Sequence, residues 1–259
     1  MRSPLNYLGG KSRLASKIVA LIPPDHVCYC EPFCGAGWVL FTKPPSKAEV
    51  INDADGELVT FWRVIQHHLT PFLDCFKWAV VSRKVFEWET LKRPETLTDI
   101  QRAVRYYYLQ RLSFGGKPAG RTFGTAATAP SGLNLATVSE RLLEVHWRLE
   151  RVTVEHLDAV DCIRRYDRPE TLFYCDPPYM GLCQDYASKF AQADFVRLRD
   201  CLAGIKGRFI LSLNDCAGVR DLFATFKIVQ VSLRYSTGNP RSNAESRSKV
   251  RHEVLIRNF

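Results

Sequence analysis

The stretch Asp176-Pro177-Pro178-Tyr179 combines residue types that imply chemistry at very short spacing. It follows Thr171-Leu172-Phe173-Tyr174-Cys175, an apolar run that reads as a buried strand. A carboxylate, two prolines and an aromatic ring at a strand's carboxyl end make a stiff, concave polar corner. Proline fixes φ and has no N–H, so the backbone carbonyls there stand as acceptors. Acceptors beside a flat ring suit a planar base that carries an exocyclic amine. The corner therefore implies an enzyme that works on the NH₂ of a nucleobase. Tyr179 offers either a stacking face for that base or a ring packed on the core, and Tyr186 and Phe190 either line the base pocket or support it.

A second constellation lies nearer the amino terminus. Val27 to Cys30 reads as a strand running into the turn Glu31-Pro32-Phe33-Cys34-Gly35-Ala36-Gly37, where glycines let the backbone approach a nucleotide-like ligand. Asp53 ends the next strand, Ala48 to Ile51, where an acidic side chain can accept ribose hydroxyls. A pyrophosphate would call for a third glycine, and Leu40 stands at that position. The pocket suits a nucleoside without phosphates better than a nicotinamide dinucleotide. Asn6-Tyr7-Leu8-Gly9-Gly10-Lys11-Ser12 ends like a Walker A loop, but Leu5 occupies the place of its first glycine and too few residues precede it for a strand. That leaves a simple glycine turn before a helix, or a Lys11 that holds a ligand carboxylate near the helix start.

The elements that must position these residues alternate. A helix is expected over Ser12 to Leu21 with Ser12 as its N-cap, and another with Leu58, Phe61, Trp62 and Ile65 on one face. Strands follow at Val152-Thr153-Val154, Leu172 to Cys175 and Phe209 to Leu213, the last preceded by a helix carrying Phe195, Leu198, Leu202 and Ile205. Lys227 to Val231 and Glu253 to Ile256 read as a closing hairpin-type edge. The alternation predicts an α/β protein built on a parallel, doubly wound sheet. It is interrupted over residues 71–148, a mainly helical insertion rich in Trp and Tyr, so 1–70 together with 149–259 are expected to form the catalytic domain.

The 259-residue chain has a net charge of +9, which points to a polyanionic partner. Between Gln101 and Pro130 it holds Arg102, Arg105, Arg111, Lys117 and Arg121 and no acidic residue. The nine cysteines are scattered through apolar segments without a metal-ligand spacing, and the histidines add none, so no metal is expected. With no run of eighteen apolar residues and a polar, glycine-bearing start, neither a membrane span nor a secretory signal is expected, and a cytoplasmic location is.

In this order, the pieces resemble the Dam-like (alpha-group) DNA adenine-N6 methyltransferases. The matching segments are Tyr7 to Lys11, Glu31 to Gly37, Asp53, the basic region around Arg111 to Phe123, Asp176 to Tyr179, Phe209 to Asp215 and Glu253 to Ile256. The resemblance implies a Rossmann-like S-adenosylmethionine-dependent methyltransferase sheet with an antiparallel edge and an inserted target-recognition domain at 71–148. It also implies cofactor contacts from Tyr7, Lys11, Phe33, Gly35, Gly37, Asp53, Asp158 and Asp176, and catalysis by Asp176, Pro177, Pro178 and Tyr179. Asp158 matches an acidic position that relatives usually follow with Phe, whereas Ala159 stands here. The implied partner is double-stranded DNA, gripped by Arg111, Lys117, Arg121, Arg241, Arg247 and Lys249, with a cognate restriction endonuclease left open. Cytosine N4 or an RNA adenine would also fit the corner, a catalytically silent nucleic-acid-binding relative would keep the fold, and an oxidoreductase is disfavoured by the incomplete glycine fingerprint.

Overall fold

The computed structural model describes residues 1–7, 9–116, 120–125, 131–181, 190–235 and 249–259, with only the backbone for 233–235 and 249–251. The first half runs α1 (Ala15–Val19), β1 (Cys28–Glu31), α2 (Trp38–Thr42), β2 (Ala48–Asn52) and α3 (Gly56–His67). Four helices follow, α4 (Leu69–Asp74), α5 (Arg83–Leu91), α6 (Asp99–Leu112) and α7 (Val138–Leu149). The alternation then resumes with β3 (Val152–Glu155), α8 (Ala159–Tyr166), β4 (Thr171–Cys175), α9 (Gln192–Gly204), β5 (Arg208–Asn214), α10 (Ala217–Leu222), β6 (Lys227–Tyr235) and β7 (Lys249–Arg257).

Among the described residues the strands form one sheet in the order β3-β2-β1-β4-β5-β7-β6. β1 to β5 pair in parallel, while β7 runs antiparallel to both β5 and β6. The order reverses between β1 and β4, and such a switch point leaves a crevice at the strands' carboxyl ends. The closing pair forms the antiparallel, hairpin-type edge that the sequence predicts. β7 slots between β5 and β6, so β6 is the outer strand of the pair and β3 forms the opposite edge of the sheet.

The sheet is covered on both faces, and successive residues of β4 show why its sequence is a continuous apolar run. Leu172 and Tyr174 face one core with α3, whereas Phe173 and Cys175 face another with α9. α3 starts at Asp55, whose carboxylate accepts the Glu57 and Leu58 amides, and it buries Leu58, Phe61, Trp62 and Ile65 as its spacing predicts. α1 is shorter than expected. Its N-cap is Leu14 with no side-chain bond, because the Lys11 carbonyl accepts both the Leu14 and Ala15 amides and Ser12 is left outside the helix.

The helices α4 to α7 share the core of α3. Phe61 stacks on Tyr107 at 5.6 Å with an interplanar angle of 6°, and Phe72 and Phe76 pack against the same Tyr107 ring. A buried ion triad ties α7 to the sheet, with Glu49 of β2 bound by Lys43 at 2.5 Å and by both guanidinium nitrogens of Arg148 at 2.5 and 2.8 Å.

Candidate active site

Three strand ends carry the site and are locked to one another. The Asn52 side chain donates to the Pro32 and Leu157 carbonyls at 2.9 and 3.1 Å and accepts the Leu157 amide at 2.8 Å. This joins the ends of β1, β2 and β3. Beyond β1, Gly35 and Gly37 take φ of 45° and 64°, a region that favours glycine, and Gly37 is the N-cap of α2. The Gly35 amide donates to Asp53 Oδ2 at 2.9 Å and the Asp55 amide to Asp53 Oδ1 at 3.0 Å. Each Asp53 oxygen keeps a lone pair for a further donor. Burial pushes its carboxyl up to about 6, against the pull of those amides.

β4, buried along its whole length, delivers Asp176 to the other side of the switch point. Asp176 Oδ1 lies 2.6 Å from Lys11 Nζ and accepts the Ser212 hydroxyl at 2.8 Å. Lys11 Nζ also donates to the Gly9 carbonyl at 3.0 Å and sits 4.8 Å from the centre of the Tyr179 ring. Burial pushes the Asp176 carboxyl above the usual range; Lys11 and Ser212 hold it down and Glu253 raises it further. Tyr179 is buried beneath the Lys11 ammonium, while Pro177 and Pro178 face the crevice.

A single cavity of about 220 Å³ joins the two halves. At roughly 30 Å³ per water it is the size of a ligand space rather than a hydration site. Tyr7, Lys11, Phe33, Gly35, Gly37, Asp53, Asp158, Asp176, Pro177 and Pro178 all line it. So do Glu31, Trp38, Asp55, Tyr174 and Asp194, which sequence reasoning did not assign. Its lining is acidic where the whole chain is basic: six carboxyl groups (Glu31, Asp53, Asp55, Asp158, Asp176, Asp194) face it against the ammonium of Lys11, burial keeping Glu31 largely neutral at pH 7. Such a wall attracts a cation and repels a pyrophosphate. Asp158 also caps α8, accepting the Val160 and Asp161 amides, and pairs with Arg197. Among the described residues no group of three or more His, Cys, Asp or Glu is placed to hold a metal ion, and no helix is long and apolar enough to cross a membrane.

The expected basic contacts separate. Arg111 is turned inward, a correction to its assignment as a phosphate contact. In the last turn of α6 it donates to the carbonyls of Pro4 (3.1 Å) and Gly132 and to Asn6 Oδ1 (3.2 Å). With Gln110, which donates to the Asn6 and Gly116 carbonyls, it anchors the segment leading to Tyr7 and Lys11. Arg121 is half-buried, donates to Gln110 Oε1 at 3.2 Å and lies 5.1 Å from the Tyr106 ring centre. Leu8, Lys117, Cys183, Tyr186, Arg241 and Arg247 lie outside the described residues; of Lys249 the backbone pairs with Tyr235.

Ser212 and Asn214 on β5 were the other residues that spacing did not single out. Their one signal is polarity at alternate positions of the otherwise apolar run Phe209-Ile210-Leu211-Ser212-Leu213-Asn214.

Strand order, an acidic cavity at the switch point and a carboxylate corner beside it define a Rossmann-like α/β fold with a ligand crevice at its strand ends. The chain belongs to the D12 class N6 adenine-specific DNA methyltransferase family, whose model matches residues 7–237. It is 24% identical to the Type II methyltransferase M1.LlaDCHI of Lactococcus lactis subsp. cremoris over 100% of this chain and 96% of that protein. It is 22% identical to the Type II methyltransferase M.CviBI of Paramecium bursaria Chlorella virus NC1A, covering 91% of each. To the DNA adenine methylase of Haemophilus influenzae it is also 22% identical, over 97% of this chain and 92% of the relative.

Proposed function

We propose that this family member transfers the methyl group of S-adenosylmethionine to N6 of an adenine swung out of duplex DNA. The observation that carries the reading is the acidic cavity that reaches from Asp53 to Asp176 without a break. Its residues fit the cofactor. Asp53 keeps two lone pairs for ribose hydroxyls, Lys11 can meet the carboxylate, and the acidic wall suits the positive charges of the sulfonium and ammonium. Tyr7 and Phe33 bring aromatic surface to the same wall. When bound, the cofactor supplies an electrophilic methyl group.

The rest of the chemistry falls to the chain. Adenine N6 is a weak nucleophile because its lone pair is spread into the ring. Asp176 and the Pro177 carbonyl, each accepting one N–H, favour pyramidal N6 and localise that pair. The stabilisation is greatest in the transition state, which is where it accelerates the reaction. N6 must then shed a proton, and a carboxylate with a raised pKa is a suited acceptor. The prolines close the corner around the base, with Tyr179 packed behind them under Lys11, and extrusion of the base from the stack costs a few kcal/mol.

Residues 71–148 serve as the target-recognition part. Lys117, Arg121, Arg241, Arg247 and Lys249 contact the DNA, and Arg111 acts as an internal anchor. The test is incubation with labelled cofactor and adenine-containing duplex DNA, followed by nucleoside analysis. N6-methyladenine is expected from the wild type and none from Asp176→Ala; an unimpaired variant would refute the role given to Asp176.

A further inference from the structure

We infer that strand β5 positions the catalytic corner, with Ser212 orienting the Asp176 carboxylate and Asn214 fastening the backbone beyond Tyr179. The inference rests on the proposed role of Asp176 as acceptor for the base amine.

Ser212 and Asn214 are two residues apart and so share one face of β5. Ser212 is fully buried, and a buried hydroxyl is costly unless it is bonded. Of its acceptors Asp176 Oδ1, at 2.8 Å, is the nearer, the Cys175 carbonyl lying at 3.5 Å; with the proton on Asp176, the phenol is the donor across the 3.0 Å contact with Tyr174 Oη. The result is a directional chain, Tyr174 to Ser212 to Asp176, that starts in the core. Together with Lys11 it occupies Oδ1 twice. Among the described residues no hydrogen bond falls on Oδ2, while the side chain stays 20% exposed and faces the cavity. The bonded oxygen thus fixes the rotamer, and the other is presented to the base.

At the far end of the corner, Asn214 Oδ1 accepts the Met180 amide at 3.0 Å and Nδ2 donates to the Met180 carbonyl at 3.2 Å. A primary amide makes both contacts, whereas a carboxylate lacks the donor. Residues 176–180 are therefore pinned at both ends to a strand that pairs on both sides, with β4 and with β7. Small errors in placing a reacting group carry large rate penalties.

The groups that face Asp176 are Lys11 from the amino-terminal segment, Glu31 from β1, Tyr174 and Cys175 from β4, Ser212 from β5 and Glu253 from β7. Of these, Lys11 and Ser212 favour the ionised carboxylate. Loss of the Ser212 hydroxyl moves the Asp176 pKa further up, and with it the acid limb of the rate profile.

Ser212→Ala, Ser212→Thr, Tyr174→Phe and Asn214→Asp are compared with the wild type for cofactor Kd by calorimetry and for kcat on a duplex oligonucleotide across pH. Ser212→Ala should lower kcat by about 10- to 100-fold, the rate equivalent of one hydrogen bond to a charged group. Its Kd should stay within about twofold while its acid limb moves to higher pH, and Ser212→Thr should restore both. Tyr174→Phe, which removes only the proton given to Ser212, should move the limb the same way by less. Asn214→Asp should lower kcat with cofactor Kd unchanged. A Ser212→Ala enzyme with wild-type rate and profile, or one whose lost rate follows lost cofactor binding, overturns the inference. Failure of the wild type to make N6-methyladenine would instead overturn the reading of the site.

Discussion

At the carboxyl end of β1, the Glu31 carboxyl accepts the Tyr29 hydroxyl at 2.7 Å and the Leu40 amide at 2.8 Å. Burial pushes it up to about 8 despite those bonds, so the side chain is largely neutral at pH 7. Its folded pKa lies above its unfolded value. The associated stability is therefore complete below about pH 4.5 and is lost as pH rises toward 8. Asp53 acts in the same direction over a lower window, from its ordinary 3.8 to about 6. Glu31→Gln should consequently raise Tm at pH 9, at about 2–4 °C per kcal/mol for a chain of this size, with the gap closing at pH 5. Thermal melts at the two pH values check this, and equal Tm at pH 9 would contradict it. The sequence marks Asp53 and Asp176 because each ends an apolar strand at a turn. It does not mark Glu31 or Ser212, whose partners Leu40 and Asp176 are close only in the fold. Arg111 shows the same limit in reverse, since nothing local distinguishes a caged arginine from its solvated neighbours in a basic run.

Among the elements, α2 is the one most dependent on a single backbone conformation. Gly37 caps it at φ 64°, and a Cβ there would stand 3.0 Å from the Phe41 ring. Gly37→Ala should cost about 1–2 kcal/mol from the left-handed backbone alone. It should also weaken cofactor binding, because the turn it distorts lines the cavity; urea unfolding and calorimetry measure the two effects. The Lys43–Glu49–Arg148 triad holds α7 to β2. Burial works against the Glu49 charge, but the bonds to Arg148 and Lys43 outweigh it and lower its pKa. Glu49→Ala would leave two enclosed cations and should cost about 3–5 kcal/mol in urea unfolding. The parallel strands were legible because burial on both faces demands unbroken apolar runs. The place of β7 inside the sheet was not, because two adjacent apolar strands predict a pair without saying which partner faces β5. Ser12 failed as a cap because the Lys11 carbonyl had already closed that turn.

For the molecule as a whole, the sign of charge is sorted by location. The chain carries +9 overall, yet six carboxyl groups face the central cavity. A cationic cofactor and a polyanionic substrate can then be held by one protein without competing for the same field. DNA affinity should fall steeply with salt, by about 10³ or more between roughly 50 and 200 mM if six phosphates are neutralised. Cofactor affinity, measured by calorimetry over the same range, should change far less, since short-range contacts in a partly enclosed cavity are weakly screened. A parallel loss of both would contradict this separation. The most direct test of the central claim is nucleoside analysis of adenine-containing duplex DNA after incubation with the purified protein and S-adenosylmethionine. The structure predicts N6-methyladenine from the wild type and none from Asp176→Ala. A wild-type product methylated at cytosine, or an Asp176→Ala enzyme as active as the wild type, would contradict it.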